Sequence, residues 1–90
     1  MSDLFIWDDD NIEHIARHSV EPYEAEEAIT DPKRVRFDAH SGHKGIIGQS
    51  IDGRKLVVIF VIKIGDKYRV ITARDANDKE RKMYNRRNKS

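Results

Sequence analysis

An α+β fold, with helices kept apart from a mainly antiparallel sheet, is what three features of these 90 residues predict. Helical spacing of apolar residues precedes Pro32, β-rich segments follow Val35, and a last helical segment starts near Asn77. The expected order is β-α-α-β-β-β-β-α, in one domain spanning residues 1–90, because a chain of this length supplies one core and not two.

The first strand is the apolar run Leu4 to Trp7. The spacing Asp10-x-x-Glu13 has the form of a capping box that opens a helix, whose apolar stripe is Ile12, Ile15 and Ala16. A second helix begins at Pro22, where a missing N–H is harmless, with Val20 and Ala25 placed as its staple. Ala25, Ala28 and Ile29 form its inner face, and Pro32 stops it near Thr30 by disfavouring helical geometry at Asp31. Strands are then expected at Val35 to Phe37, Gly45 to Ile51, Lys55 to Lys63 and Tyr68 to Arg74. Asp52-Gly53 and Gly65-Asp66 mark turns, and the run Leu56 to Ile62, apolar throughout, marks a strand central in its sheet. A second capping-box spacing, Asn77-x-x-Glu80, opens the last helix, which places Ala76, Glu80, Met83, Tyr84 and Arg87 on one side. The tail after about residue 87 is expected to be disordered.

Composition narrows the function. No apolar run reaches the roughly 18 residues that span a bilayer, and the N-terminal residues lack the pattern of a signal peptide, so a cytoplasmic protein without membrane association is expected. The chain has no cysteine, which excludes disulfides, thiolate nucleophiles and zinc-thiolate sites. Charge is divided unevenly. Residues 1–31 hold ten acids against Arg17 alone, a net of −9, and the remainder holds sixteen bases against six acids, a net of +10. One surface therefore suits a polyanion, unless the charges pair with one another.

Four histidines are the candidate metal ligands. His14 and His18 are four residues apart, and His40 and His43 share a loop, but the pair lacks the glutamate of a protease motif and the loop has no fixed relation to the helix. No metal or cofactor is expected. His43 and Lys44 read instead as loop groups near a nucleic acid.

Several segments in one register resemble the BrnT family of toxins from type II toxin-antitoxin systems. They are Phe5-Ile6-Trp7-Asp8, Ala16-Arg17-His18-Ser19-Val20, Glu26-Glu27-Ala28 with Asp31-Pro32, Ile47-Gly48, Leu56-Val57-Val58, Arg69-Val70-Ile71-Thr72-Ala73-Arg74, and Glu80-Arg81 with Tyr84. The resemblance implies a RelE-like fold, RNA cleavage that stops growth, and neutralisation by a ribbon-helix-helix antitoxin, in a toxin-antitoxin hetero-oligomer or beside a homodimer. Two positions depart from the family pattern. Gly42-His43-Lys44 stands where a Glu-Arg pair is usual, and Ser19 stands where glycine is usual. The first departure leaves open a catalytically inactive relative that serves as a protein-interaction or nucleic-acid-binding module.

Cleavage of RNA by its own 2′-OH needs a base, cations for the phosphate and an acid for the leaving oxygen, and it requires no metal. The resemblance points to the sheet and the last helix for these groups. Arg74, His18, Glu80 and Tyr84 are the catalytic candidates, and Lys44, Arg54 and Arg69 the RNA-binding ones. Arg74 could grip a phosphate at a strand end or pair with Asp75 or Glu80. His18 could move a proton or cap the first helix, and Tyr84 could reach the site or belong to the core.

Overall fold

The computed structural model describes residues 4–89. Its elements are β1 (Phe5–Ile6), α1 (Asp9–Ala16), α2 (Pro22–Ile29), β2 (Val35–Asp38), a 3₁₀ turn (His40–Gly42), β3 (Lys44–Gln49), β4 (Lys55–Lys63), β5 (Lys67–Asp75) and α3 (Asp78–Arg87). The five strands form one sheet in the order β1-β5-β4-β3-β2, with β1 parallel to β5 and every other pair antiparallel. The expected α+β order therefore stands, and β4 is central as its apolar run requires. None of the helices among the described residues is long and apolar enough to cross a membrane.

The helices are divided between the faces. On one face α1 and α2 bury Ile15, Val20, Ala25, Ala28 and Ile29 against Ile46, Leu56, Val58, Phe60, Val70 and Ala73. On the other, Tyr84 of α3 joins Val35, Ile47, Val57 and Ala76. Gly48 sets the close contact of the first layer, because a Cβ there would lie 2.1 Å from the carbonyl oxygen of Ala28. Only glycine lets α2 lie so near β3.

Helix α1 starts earlier than its sequence suggests. Asp8, not Asp10, is the N-cap, and its box partner is Asn11 rather than Glu13. The reason is tertiary: the buried Asn11 side chain donates to the carbonyls of Ile6 at 2.9 Å and Val70 at 3.1 Å and accepts from the Asp8 amide at 2.8 Å. This satisfies Asn11 completely and fixes α1 to β1 and β5. The helix leaves through a Schellman closure, in which the Val20 amide donates to Ile15 and the Ser19 amide to Ala16. Ser19 adopts φ 59°, the left-handed conformation that favours glycine. The family glycine thus has a backbone cause.

Other elements follow expectation with small shifts. Glu24 caps α2 by accepting from the Glu21 amide at 2.9 Å, and Val20 and Ala25 are both buried in the same core cluster. Ile51, expected to end a strand, stands in the β3–β4 turn with 84% of its surface exposed. The turn begins one residue earlier, because the Gly53 amide donates to the Ser50 carbonyl and the Ser50 amide to Arg54. The expected tail disorder falls partly on Ser90, outside the described residues; Asn88 donates to the Lys33 and Tyr84 carbonyls.

Candidate functional site

The seven residues singled out from the sequence do not form one cluster. Four of them surround the C-terminal end of β5. Arg74 donates through both terminal nitrogens to the two carboxylate oxygens of Glu80, each at 2.8 Å, and to the Asp75 carbonyl at 3.1 Å. Glu80 also accepts from the Asn77 amide at 2.8 Å, closing the capping box that opens α3 as the spacing predicted. The Arg74 guanidinium holds the Glu80 carboxyl below its ordinary value, so Glu80 is ionised at neutral pH and is equipped to accept a proton rather than to give one.

On the opposite side of the same strand end, Arg54 binds the Asp75 carboxylate at 2.7 and 3.1 Å, Glu24 at 3.1 Å, and the carbonyls of Ser19 and His18 at 2.7 and 3.3 Å. Arg54 thereby joins the α1–α2 loop, α2, β4 and β5. With its donors spent on these acceptors, it fits a structural brace better than an RNA contact. His18 lies exposed just beyond α1, and only its backbone takes part in this network.

Tyr84 is one turn further along α3 and is buried. Its hydroxyl donates to Asp31 at 2.6 Å, and burial, reinforced by that carboxylate, pushes the phenol up to about 12. Burial would raise Asp31, but the Tyr84 hydroxyl and the Lys33 and Gln49 amides outweigh it and keep the carboxylate below its ordinary value. A phenol held this way ties α3 to the loop after α2 and is a poor proton donor near neutrality. Arg69 faces Asp8 at 2.6 Å, at the junction of β5, β1 and the start of α1. Its bond holds the Asp8 carboxyl below its ordinary value.

Lys44 is elsewhere. It borders an open cleft of about 500 Å³ on the α2 side of the sheet, beyond the end of that helix. Ile29, Ile46, Phe60, Ile62 and Tyr68 supply its apolar surface, and Arg34, Arg36, Asp38 and Lys44 its charges. Lys44 lies 3.7 Å from Asp38, both well exposed, a separation at which little is gained. A second groove of about 370 Å³ adjoins it, lined by Lys33, Arg34, Arg36, Arg87 and Asn88. The two share Arg34 and Arg36. A band of cations therefore runs from the C-terminal part of α3 along edge strand β2 to Lys44, and among the described residues Lys33, Arg34, Arg36 and Arg87 have no carboxylate partner.

Arg87 belongs to the basic stretch from Lys79 onward, which the sequence marks as a phosphate-binding surface, whereas Lys33, Arg34 and Arg36 were not singled out from the sequence. The dense run Lys33-Arg34-Val35-Arg36, directly after the acidic stretch, was the available signal. The four histidines gather no metal cage: the His14 and His18 rings are 6.2 Å apart, and among the described residues no three potential ligands come together.

The family model of the BrnT ribonuclease toxins of type II toxin-antitoxin systems matches residues 7–80. The chain belongs to the BrnT family. No curated protein matches it. BrnT proteins are ribonuclease toxins, and a type II toxin is paired with an antitoxin. The BrnT match includes both halves of the Arg74–Glu80 pair, the Arg54 brace, Gly48 and most of the cationic band, and it ends before Tyr84 and the basic C-terminal half of α3.

Proposed function

We propose that this BrnT protein is a cytoplasmic, metal-independent endoribonuclease on a RelE-like version of the α+β fold, silenced by a ribbon-helix-helix antitoxin in a toxin-antitoxin hetero-oligomer. The observation that carries the reading is the band of cations on α3 and β2 that have no carboxylate partner among the described residues, on the side of the sheet edge away from the acids of α1. Such a band follows a phosphate backbone and supplies sequence-independent affinity. α3 is about 15 Å long, so one RNA strand lying along it reaches from Arg87 to the Arg74–Glu80 pair.

Arg74 takes the scissile phosphate there. Its side chain is 41% exposed, and a phosphate can replace the Glu80 carboxylate in the same two-pronged geometry at the first turn of α3. Glu80, released and ionised, accepts the 2′-OH proton as that oxygen attacks phosphorus. The departing 5′ oxygen takes its proton from water, because His18, the other acid candidate, stands on the opposite side of the strand end from Glu80. Lys44, Arg34 and Arg36 hold the RNA away from the cut. Arg54, Arg69 and Tyr84 are assigned to the fold, because each is bound to a carboxylate and is less exposed than Arg74.

The experiment is cleavage of labelled RNA by the purified chain with and without EDTA. Undiminished cleavage in EDTA, lost in Glu80→Gln, supports the assignment; Gln keeps the Oε1 acceptor of the cap and removes the charge together with the Oε2 acceptor that Arg74 binds. Cleavage abolished by EDTA and restored by zinc would overturn metal independence. A preparation that binds RNA and never cuts it would leave the non-catalytic module, which the Gly42-His43-Lys44 departure also allows.

A further inference from the structure

The cleft beside Lys44 contains a component that phosphate binding does not use, an aromatic floor. Phe60 is buried at its base and Tyr68 is half-buried beside it. The Tyr68 ring is fixed from two directions: Phe5 stacks on it at 5.5 Å and 29°, and Phe60 meets it at 5.2 Å and 68°. Its hydroxyl forms no hydrogen bond with any described residue. By contrast the Tyr84 hydroxyl is bound to Asp31 and the Trp7 indole nitrogen to Glu26. The cleft thus holds a rigid ring with an unused polar group, and Arg36, which has no carboxylate partner among the described residues, stands on its border with Lys44.

We infer that this cleft receives one unpaired nucleobase, stacked on the Tyr68 and Phe60 floor, with Arg36 and Lys44 on the neighbouring phosphates. The inference rests on the reading that RNA follows the cationic band, and it adds a subsite on this chain for one unpaired base. The physical reason is access. A base inside a duplex has both faces stacked and its edge paired, so it cannot enter a recess about 500 Å³ in volume, whereas a splayed base can. Cations alone would hold single and double strands alike. An aromatic floor contributes only to a strand whose bases are free, and every base has a face to offer it, so strandedness is selected more strongly than sequence.

The test measures binding of the full chain by fluorescence anisotropy at one fixed salt concentration. Three 2′-O-methyl probes, which lack the attacking hydroxyl and are not cut, are compared: a single strand, the same strand annealed to its complement, and a strand of equal length with every base removed. The phosphates of the first and third are the same. Removing the bases should weaken binding by about 5- to 150-fold, the loss of one stacked base, and the duplex should bind comparably weakly. Tyr68→Ala should weaken the intact strand by a similar factor and leave the abasic strand unchanged. Tyr68→Phe should retain most of the affinity. Because Tyr68 packs on Phe5 and Phe60, melting curves accompany the variants; should Tyr68→Ala unfold, the abasic comparison in the unaltered protein decides alone. Equal affinity for intact and abasic strands, or for duplex and single strand, overturns the nucleobase site while the RNA reading survives. Failure to bind any probe overturns both and leaves the cleft to an acidic protein segment such as part of an antitoxin.

Discussion

Arg74→Ala tests the proposed cut site most directly, because its two roles predict opposite patterns of rate and stability. In the folded chain its guanidinium makes two 2.8 Å bonds to Glu80 and one of 3.1 Å to the Asp75 carbonyl. The pair is partly exposed, 41% for Arg74 and 19% for Glu80, so solvent screens it and its loss should cost about 1 kcal/mol. The capping bond from the Asn77 amide to Glu80 survives the substitution, so α3 should keep its start. For a domain of this size 1 kcal/mol lowers Tm by about 4–8 °C. If Arg74 also stabilises the crowded phosphate, cleavage should fall by roughly 10²-fold, the scale of losing one preorganised donor. Arg74→Lys should restore only part of that, since a point charge cannot make two parallel bonds. The assay is single-turnover cleavage of labelled RNA beside thermal melting for wild type, Arg74→Ala and Arg74→Lys, with relief of growth arrest in cells as a second readout. An Arg74→Ala protein that melts a few degrees lower and cuts at the normal rate would leave Arg74 as a cap partner only and remove it from the mechanism.

RNA affinity should fall steeply with salt, and Arg36→Ala or Arg87→Ala should each reduce the slope of log K against log salt by about one, whereas Arg69→Ala, already paired with Asp8, should lower stability and leave the slope unchanged; an unaltered slope in Arg36→Ala would remove it from the band. Tyr84 titrates at about 12 when folded against 10.0 ordinarily, so between those values the unfolded chain alone loses its proton and stability should drop, by at most about 3 kcal/mol, as pH rises through that window. Tyr84→Phe should flatten the decline, cost about 1.5 kcal/mol at neutral pH and keep cleavage intact, and a cleavage-dead Tyr84→Phe of normal stability would return the phenol to the mechanism. Gly48→Ala should lower the urea midpoint by an amount worth about 3 kcal/mol, because the new methyl meets the Ala28 carbonyl, and a midpoint equal to wild type would contradict that close approach.

The fold was legible where local chemistry and tertiary structure agree. Leu56 to Ile62 can be apolar at every position only if both faces are covered over most of its length, which makes β4 central before any neighbour is known. Gly65 and Asp66 both take positive φ, as the turn spacing required, and Asn77 with Glu80 forms the box its sequence spells. The start of α1 was not legible, for a definite reason. Asp8, Asp9 and Asp10 are all competent N-caps, and Asn11 and Glu13 both offer a return bond. The choice is made by the Val70 carbonyl, 59 positions away, which Asn11 can reach only if the helix starts at Asp9. No local pattern contains that information.

The candidate site was legible in sign and not in place. Counting charges by segment shows an excess of bases after Asp31, but whether a given base is free depends on which acid the sheet register sets beside it. The parallel pairing of β1 with β5 puts Arg69 opposite Ile6 and hence within reach of Asp8. The β4–β5 register puts Leu56 opposite Asp75, and the adjoining Arg54 closes on that carboxylate and on Glu24. Two cations that looked available for RNA are in this way spent on joining the basic half to the acidic half. β2 has the opposite fate. As the outer strand it has a neighbour on one side only, and that neighbour, β3, brings Lys44 rather than an acid to its end, leaving Asp38 as the one carboxylate in the strand. Among the described residues Arg34 and Arg36 therefore have no carboxylate partner, because of where the edge of the sheet falls. The same topology that neutralises the centre of the molecule gathers its uncompensated charge along β2 and the end of α3, beside an open cleft that carries an aromatic floor.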